Sequence, residues 1–140
     1  MGQPNNGARR YAENHTSELQ NHVFAFETDE GVTKPIGWGI SASQRGIEYM
    51  EKMMHYLEPL NATLLYEGGV QGDTGPLYEK GVPCMTIIVE DTPEKKFYFT
   101  YHHTAGDSMY MLKTEELDQN VVAIASMMYI MADLEEKMPR

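Results

Sequence analysis

The segment Tyr101–Ser108 holds the side chains of this sequence that are best suited to chemistry. It contains the neighbouring histidines His102 and His103, and Asp107 follows four residues after the second of them. The aromatic run Phe97–Thr100 before it predicts a β-strand. An imidazole held at the end of a strand can serve as a metal ligand or as a general base. A packed or solvated pair without a chemical role is the alternative, and it is the commoner state of histidines in general.

An acidic segment upstream, Glu27–Gly31, supplies the second set of candidate side chains. It follows Val23–Phe26, whose apolar residues predict a short buried strand, and Gly31 favours a turn. Carboxylates at the carboxyl end of a strand in an α/β sheet lie where ligands and metals usually bind. A solvated acidic turn is the alternative. Together, an imidazole and a carboxylate from two strand ends would form half of a zinc site.

Several local patterns predict the elements that must position these residues. Ser43 predicts the start of a helix that runs to about Leu57, with an apolar stripe on one face formed by Ile47, Met50, Met54 and Leu57. The remaining predictions are a helix end near Leu19, a glycine-broken extended link at Pro35–Ser41, strands at Thr63–Tyr66 and Met85–Val89, a helical turn at Pro76–Lys80 and a polar turn at Asp91–Lys96.

The last predicted element is a long helix from about Thr114 to Glu136. Its predicted core face consists of six apolar residues that recur at helical spacing: Val121, Ile124, Ala125, Met128, Met131 and Leu134. Strands that alternate with helices, and a terminal helix, predict an α/β three-layer domain.

Length and charge limit the classes of function. A chain of 140 residues has room for one ordinary core, so residues 1–140 are expected to form part of a single domain. The formal net charge is −10, which disfavours binding to nucleic acid through its phosphates. No stretch approaches the roughly 20 apolar residues of a membrane span. Cys84 is the only cysteine and begins an apolar run, which predicts a buried free thiol.

Six segments, in this order along the chain, carry a family resemblance that runs from about Gly7 to the last residue. They are Glu27–Gly31, the helix after Ser43, Leu57–Thr63, Gly81–Pro83, His102–Ser108 and Ala132–Arg140. The sequence resembles the carboxypeptidase Q, or plasma glutamate carboxypeptidase, branch of the co-catalytic dizinc peptidase family. The resemblance implies the carboxy-terminal part of a three-layer zinc-peptidase fold with a mostly parallel mixed sheet. It also implies two Zn²⁺ ions in the complete enzyme and a peptide substrate with a free carboxy terminus.

The resemblance assigns roles to individual residues. The histidine four positions before the loop aspartate is a zinc ligand in this family, which corresponds to His103 and makes His102 its neighbour. The aspartate of the Glu-x-Asp-x-Gly segment is the ligand of the other zinc, which corresponds to Asp29. Asp107 corresponds to the residue that fixes the loop, although Ser108 stands where the family usually has threonine.

Two further acidic residues, Glu27 and Asp73, have more than one possible role. Glu27 is a weaker ligand candidate than Asp29, because it would share a strand face with Asp29 but lie deeper in the sheet. Asp73, in the segment Gly72–Pro76, resembles a residue at the mouth of the family's active site. It is expected either to help position substrate or to cap the following turn.

The resemblance also shows what this sequence lacks. A dizinc peptidase needs a His-x-Asp element and a Glu-Glu pair that provides the general base, and the sequence contains no His-x-Asp. The pairs Glu115–Glu116 and Glu135–Glu136 fall in the predicted last helix, where we expect them to face solvent. We therefore expect a fragment, an incomplete gene model or, as a less favoured option, a short paralogue that is inactive alone. A non-catalytic interaction module is the rival interpretation.

Asn14 and Asn61 each begin an N-glycosylation sequon, which matters only if the chain enters the secretory pathway. The amino terminus shows no secretory signal. The family resemblance implies a secreted or lysosomal protein. An apolar sheet edge left without neighbouring strands would favour pairing, so a second copy of the chain is a further partner to test.

Overall fold

A four-stranded mixed sheet forms the centre of the chain, in a computed structural model that describes residues 6–30, 33–90 and 97–140. The strands are β1 (Ala25–Phe26), β2 (Pro35–Ser41), β3 (Leu64–Glu67) and β4 (Cys84–Val89), in the order β1-β4-β2-β3. The pairs β1–β4 and β2–β3 are parallel, whereas β2 and β4 are antiparallel. The carboxyl ends of β1 and β4 therefore lie at the same edge of the sheet.

Helices cover both faces of this sheet, which gives the three layers that the sequence predicted. The α-helices are α1 (Asn6–Asn14), α2 (Gln44–Met53), α3 (Gly75–Tyr78), α4 (Phe97–Tyr101) and α5 (Thr114–Ala132), and 3₁₀ helices lie at Leu19–Asn21, Met54–Leu60 and Met109–Met111. None of the described helices combines the length and the hydropathy that crossing a bilayer requires.

The larger core lies between the sheet and the helices α2 and α5. Trp38 and Met85 contribute from the sheet, and Met50 and Met127 from the helices, all fully buried. The indole Nε1 of Trp38 donates a hydrogen bond of 2.9 Å to the carbonyl of Ala62, so its polar atom is satisfied inside the core. A smaller cluster on the other side contains Leu19, Ala25, Val82 and Cys84, with Leu77 packed against it.

The segment Pro35–Ser41 is a central strand, and its prediction as a link was wrong. It pairs with β3 on one side and with β4 on the other. A Cβ atom at Gly37 would overlap the carbonyl oxygen of Leu64, and one at Gly39 would overlap that of Gly68. The glycines that weaken strand propensity are thus the residues that allow close approach of the neighbouring backbone.

The predicted helix start at Ser43 and the predicted apolar stripe are confirmed. The hydroxyl of Ser43 accepts a hydrogen bond of 3.1 Å from the backbone N–H of Gly46. Met50 and Leu57 are fully buried. The chain tightens from α2 into a 3₁₀ helix that passes through Pro59 and ends at Asn61, whose φ of 53° is left-handed.

The predicted core face of the last helix is confirmed at Met131, which is buried, and at Ile124 and Leu134, which pack against the core, but it was wrong at Val121 and Ala125, which are exposed. The buried residues of α5 are Asn120, Ala123, Met127 and Met131, whereas Val121 is 57% exposed. The run from Val121 to Ala132 contains no charged residue, so hydropathy alone does not distinguish its inner face from its outer face. Glu115 is exposed and Glu116 is half-buried, with an ion pair of 3.6 Å to Lys113.

The segment Phe97–Tyr101 is the helix α4, and its prediction as a strand was wrong. Within the described residues it has no neighbouring strand, because β1 pairs only with β4 and β3 only with β2. A helix satisfies its own backbone groups, and the N–H of His102 donates to the carbonyl of Tyr98 at 2.8 Å. The histidine pair therefore follows a helix rather than a strand.

Several other predictions hold at the level of whole elements, although α1 ends at Asn14 rather than near Leu19 and α5 ends at Ala132 rather than at Glu136. Strands β3 and β4 begin within one residue of their predicted positions, and α3 lies where a helical turn was expected. The predicted strand Val23–Phe26 is reduced to the two residues of β1. The polar turn predicted at Asp91–Lys96 lies outside the described residues.

Candidate functional site

A cleft of about 110 Å³ joins the acidic segment to the histidine loop. It is lined by Asp29, Glu30, Tyr98, Tyr101, His102, Asp107 and Leu112. The two segments that the sequence singled out are thus brought together, although they lie far apart in the chain. Four of the lining residues carry a carboxylate or an imidazole, which are the oxygen and nitrogen donors that zinc accepts.

The acidic segment is placed by the end of β1. The backbone N–H of Glu27 still donates to the carbonyl of Met85 on β4, at 3.2 Å, and the chain then leaves the sheet. The Oε2 atom of Glu27 accepts hydrogen bonds from the N–H groups of Asp73 and Thr74, at 2.8 and 3.0 Å. Glu27 therefore ties the acidic segment to the loop before α3, while Asp29 lines the cleft.

Stacked rings connect the histidine pair to α4. The ring of Tyr98 stacks on that of His102 with centroids 4.4 Å apart, and its hydroxyl lies 3.4 Å from His102 Nε2. These residues are four positions apart and so share a helix face. His103 stacks on His102 at 3.7 Å and is not among the residues that line the cleft.

His103 has a left-handed backbone, with a φ of 57°. A non-glycine residue in this region is uncommon, and such strain often occurs at functional sites. The loop after it is tight, because the Thr104 hydroxyl donates to the Tyr101 carbonyl at 2.7 Å and accepts from the Gly106 N–H at 3.2 Å. The N–H of Asp107 donates to the Thr104 carbonyl at 3.2 Å. This loop brings the Asp107 side chain to the cleft.

The acidic segment places a negative field on α4. Loss of hydration, and then the negative charges of Asp29, Glu30 and Glu27, raise the pKa of the Tyr98 hydroxyl above its ordinary value. Tyr98 is therefore held as a neutral hydroxyl, which can act as a hydrogen-bond donor or acceptor beside His102.

The described residues contain only part of a metal-binding shell. Within residues 6–30, 33–90 and 97–140, no three His, Cys, Asp or Glu side chains converge closely enough to hold a metal ion. The donor types at the cleft suit zinc, but their number does not complete its usual three or four protein ligands. The assignment of Asp29 and His103 as ligands stays a prediction.

Among the described residues, the Asp73 side chain makes no hydrogen bond that caps the turn. Thr74 and Glu27 hold the backbone of this turn instead: the Thr74 hydroxyl accepts from the Gln71 N–H at 2.8 Å, and the Glu27 carboxylate accepts from the N–H groups of Asp73 and Thr74. Asp73 itself is exposed. Its predicted role toward substrate stays a prediction.

Sequence reasoning missed two buried polar residues near the end of the acidic segment. The side-chain Nδ2 of Asn120 donates to the carbonyl of Thr33 at 2.6 Å, and the Thr33 hydroxyl donates to the carbonyl of Glu90 at 2.6 Å. A signal for Asn120 existed, since it is the polar residue immediately before the apolar run of the last helix. No comparable signal marks Thr33.

The predicted buried thiol of Cys84 is confirmed. The side chain is fully buried, and its Sγ lies 3.5 Å from the Thr74 carbonyl. Its pKa is raised from 9.0 to about 11, chiefly by burial; a hydrogen bond with Thr74 acts in the opposite direction, and the charge of Glu27 adds to the rise. The thiol is therefore neutral at physiological pH and is a poor metal ligand or nucleophile there.

The raised pKa predicts how stability depends on pH. The folded state favours the protonated thiol, so its contribution is complete below the unfolded pKa of 9.0 and is lost as the pH rises through about 11. The free energy of unfolding should therefore fall by an extra 2–3 kcal/mol, to order of magnitude, relative to Cys84→Ala over this range. Denaturant titrations of both proteins between pH 8 and 11 measure the difference. Equal pH dependence in the two would contradict it.

Both sequon asparagines are exposed. Asn14 lies at the end of α1, and Asn61 lies in the left-handed turn after the second 3₁₀ helix. Exposure is what a glycosylation acceptor requires. Their use stays a prediction.

Comparison with known proteins gives close matches to two kinds of peptidase, although no family model matches the chain. Carboxypeptidase Q of Homo sapiens and that of Pongo abelii are each 31% identical over 134 residues, and the Mus musculus protein is 29% identical. These matches cover 96% of this chain but 28% of the relatives, so the chain spans less than a third of their length.

A solved structure matches the fold. The crystal structure of a peptidase M28 precursor from Shewanella amazonensis SB2B superposes with a TM-score of 0.83 at 26% sequence identity. The superposition covers 96% of this chain and 30% of that protein. The sheet and its helices are therefore shared with a part of a larger peptidase structure.

Proposed function

Since this chain is a homologue of carboxypeptidase Q and shares the fold of an M28 peptidase, we propose that it forms part of a zinc-dependent exopeptidase. The observation that carries the proposal is the cleft at which Asp29 and the loop of His102 and Asp107 meet. A carboxylate and an imidazole loop from distant parts of the chain converge there on an acidic, partly aromatic surface. The substrate proposed from the family resemblance is a dipeptide or short peptide with a free carboxy terminus.

Asp29 and His103 are the proposed metal ligands of this chain. When bound, the zinc ions of such a site polarise the scissile carbonyl and lower the pKa of a bound water. Asp29 supplies a carboxylate oxygen from the acidic segment, and His103 supplies an imidazole nitrogen from the loop. A turn of the His103 side chain toward the cleft is part of this proposal, since His102 is the histidine on its wall.

The residues around the ligands hold the two segments in place. Asp107 lines the cleft next to the histidine pair, and the contacts of Thr104 keep its loop compact. Glu27 fixes the acidic segment to the loop that carries Asp73. The general-base glutamate is expected outside these 140 residues, so the chain alone is proposed to be inactive.

An interaction module is the second candidate, and the outer face of α5 is the observation that favours it. Val121 is 57% exposed and Tyr129 is 70% exposed on a charge-free run of helix. Met109 and Tyr110, in the 3₁₀ helix after the histidine loop, are also exposed. Such apolar surface is typical of protein interfaces, and a homodimer would cover it.

The proposed localisation is the secretory pathway or the lysosome. It rests on the family resemblance and is compatible with the exposure of both sequon asparagines. Mass spectrometry of the protein from its natural source, before and after removal of N-linked glycans, tests this proposal.

Zinc titration of the chain tests the proposed function. With two of the three or four usual ligands, we expect binding far weaker than the about 10–16 kcal/mol of complete structural zinc sites. Asp29→Asn and His103→Ala should each weaken it at least about tenfold, because each removes half of the available ligands. His102→Ala should have a smaller effect.

The exposed histidine His55, in the second 3₁₀ helix, provides the control. His55→Ala should leave zinc binding unchanged. Equal affinity of the wild type, Asp29→Asn and His103→Ala would contradict the ligand assignment. A larger loss in His102→Ala than in His103→Ala would move the assignment to His102.

A further inference from the structure

The acidic segment that carries Asp29 is fixed at its start, and the chain that follows it is fixed at Thr33. At its start, the Glu27 carboxylate accepts from the N–H groups of Asp73 and Thr74. Beyond the segment, Thr33 is 4% exposed, and its hydroxyl donates to the carbonyl of Glu90 at 2.6 Å. Asn120, on the last helix, donates a hydrogen bond to the carbonyl of Thr33 and so joins Thr33 to this helix.

Asn120 uses both hydrogens of its amide in this contact. Its Nδ2 donates to the Thr33 carbonyl at 2.6 Å and to the Glu116 carbonyl, one turn earlier in α5, at 2.8 Å. The side chain is 2% exposed. The orientation of the amide is determined by these two acceptors, because the opposite orientation would place its oxygen against two carbonyl oxygens.

The amide oxygen of Asn120 is buried without a hydrogen-bond partner among the described residues. A buried polar atom of this kind is unfavourable for folding. The neighbouring core positions of α5 are filled by Ala123 and Met127, and an apolar residue at position 120 would avoid the unsatisfied oxygen. Stability alone therefore does not account for an asparagine at this position. The hydrogen bond that it donates to the Thr33 carbonyl does account for it.

We propose that Asn120 is a positioning residue for the Asp29 segment, which it ties to α5 through the Thr33 carbonyl. The role of Asn120 at a metal site rests on the proposed function. The anchoring of the segment does not. Partners that orient the ligands of a metal typically contribute about 10–100-fold to metal affinity.

Asn120→Leu provides the test, because leucine has the same branched shape as asparagine without the amide. We expect faster amide hydrogen exchange at residues 27–30 and 33–34, an unchanged or raised melting temperature, and zinc affinity that is about 10–100-fold weaker. Asn120→Asp retains the shape and loses the two donors, so it should show the same local exchange. Gln119→Leu, at the exposed neighbouring position of the same helix, is the matched control and should leave all three unchanged.

Hydrogen exchange decides the anchoring role. Equal exchange at residues 27–30 and 33–34 in Asn120→Leu and the wild type would overturn it, as would an increase spread evenly over α5 and the sheet. Loss of zinc affinity in Asn120→Leu but not in Gln119→Leu supports the metal-site role. If the wild type binds no zinc, the metal-site role fails for the chain alone, and exchange still decides the anchoring role.

Discussion

His103→Ala is expected to abolish dipeptide hydrolysis in a complete enzyme that contains this chain. A zinc-bound water cannot be activated without its metal, so we expect a loss of at least about a thousandfold in kcat/KM, or about 4 kcal/mol of barrier. A chimera in which this chain replaces the matching 134 residues of human carboxypeptidase Q provides the complete enzyme. Release of free amino acids from an unblocked dipeptide at saturating zinc is the measurement.

His102→Ala is the matched control for this experiment, since the two histidines are adjacent and stacked. It should retain clear residual activity. Equal activity of both variants and the parent chimera would contradict the assignment of His103, and the reverse order of activities would assign the ligand role to His102. If the chimera does not fold, the zinc titration of the chain tests the same residues.

Gly37→Val is expected to prevent stable folding. A Cβ at Gly37 would overlap the Leu64 carbonyl oxygen and lie 2.7 Å from the Leu64 Cβ, and both belong to the paired strand β3. Backbone in a paired strand cannot move aside as a flexible side chain can, so we expect a loss of about 3 kcal/mol or more in the free energy of unfolding. Thermal unfolding followed by circular dichroism measures it.

Gly7→Ala is the control for this substitution. Nothing lies within 4 Å of a Cβ placed at Gly7, which is in the helix α1. Alanine in a helix should leave stability unchanged or raise it by about 0.5–1 kcal/mol. A Gly37→Val protein as stable as the Gly7→Ala protein would show that β2 and β3 do not pack as described.

Local signals were enough to predict some elements of this fold. The helix start at Ser43 depends on one hydroxyl and the next few residues, and the stripe of Met50 and Leu57 repeats at helical spacing. The strand β4 is a continuous apolar run, which is typical of a buried strand.

The wrong predictions concern segments whose secondary structure or burial is determined by tertiary contacts rather than by local sequence. Gly37 weakens strand propensity locally, but close approach by β3 requires it. The aromatic residues of Phe97–Tyr101 favour a strand, but among the described strands none pairs with them. The outer residues of α5 are as apolar as the inner ones, so spacing alone did not identify the buried face.

The sequence was enough to predict the two segments that form the candidate site, but not the element before the histidine pair or which histidine lines the cleft. The acidic segment and the histidine loop were predicted to meet, and both line one cleft. The loop follows a helix instead of a strand, and His102 rather than His103 lies on the cleft wall. The contact between Asn120 and Thr33 joins residues that are distant in sequence, so no local pattern reveals it.

The dependence of dipeptide hydrolysis on zinc tests the central claim most directly. The measurement compares the chimera with human carboxypeptidase Q as purified, after removal of metal by a chelator, and after zinc is restored. We predict that the chimera loses its activity when the metal is removed and recovers it when zinc is restored. The Asp29→Asn chimera should be inactive under all three conditions. Full activity after metal removal, or full activity of Asp29→Asn, would contradict a zinc-peptidase role for this chain.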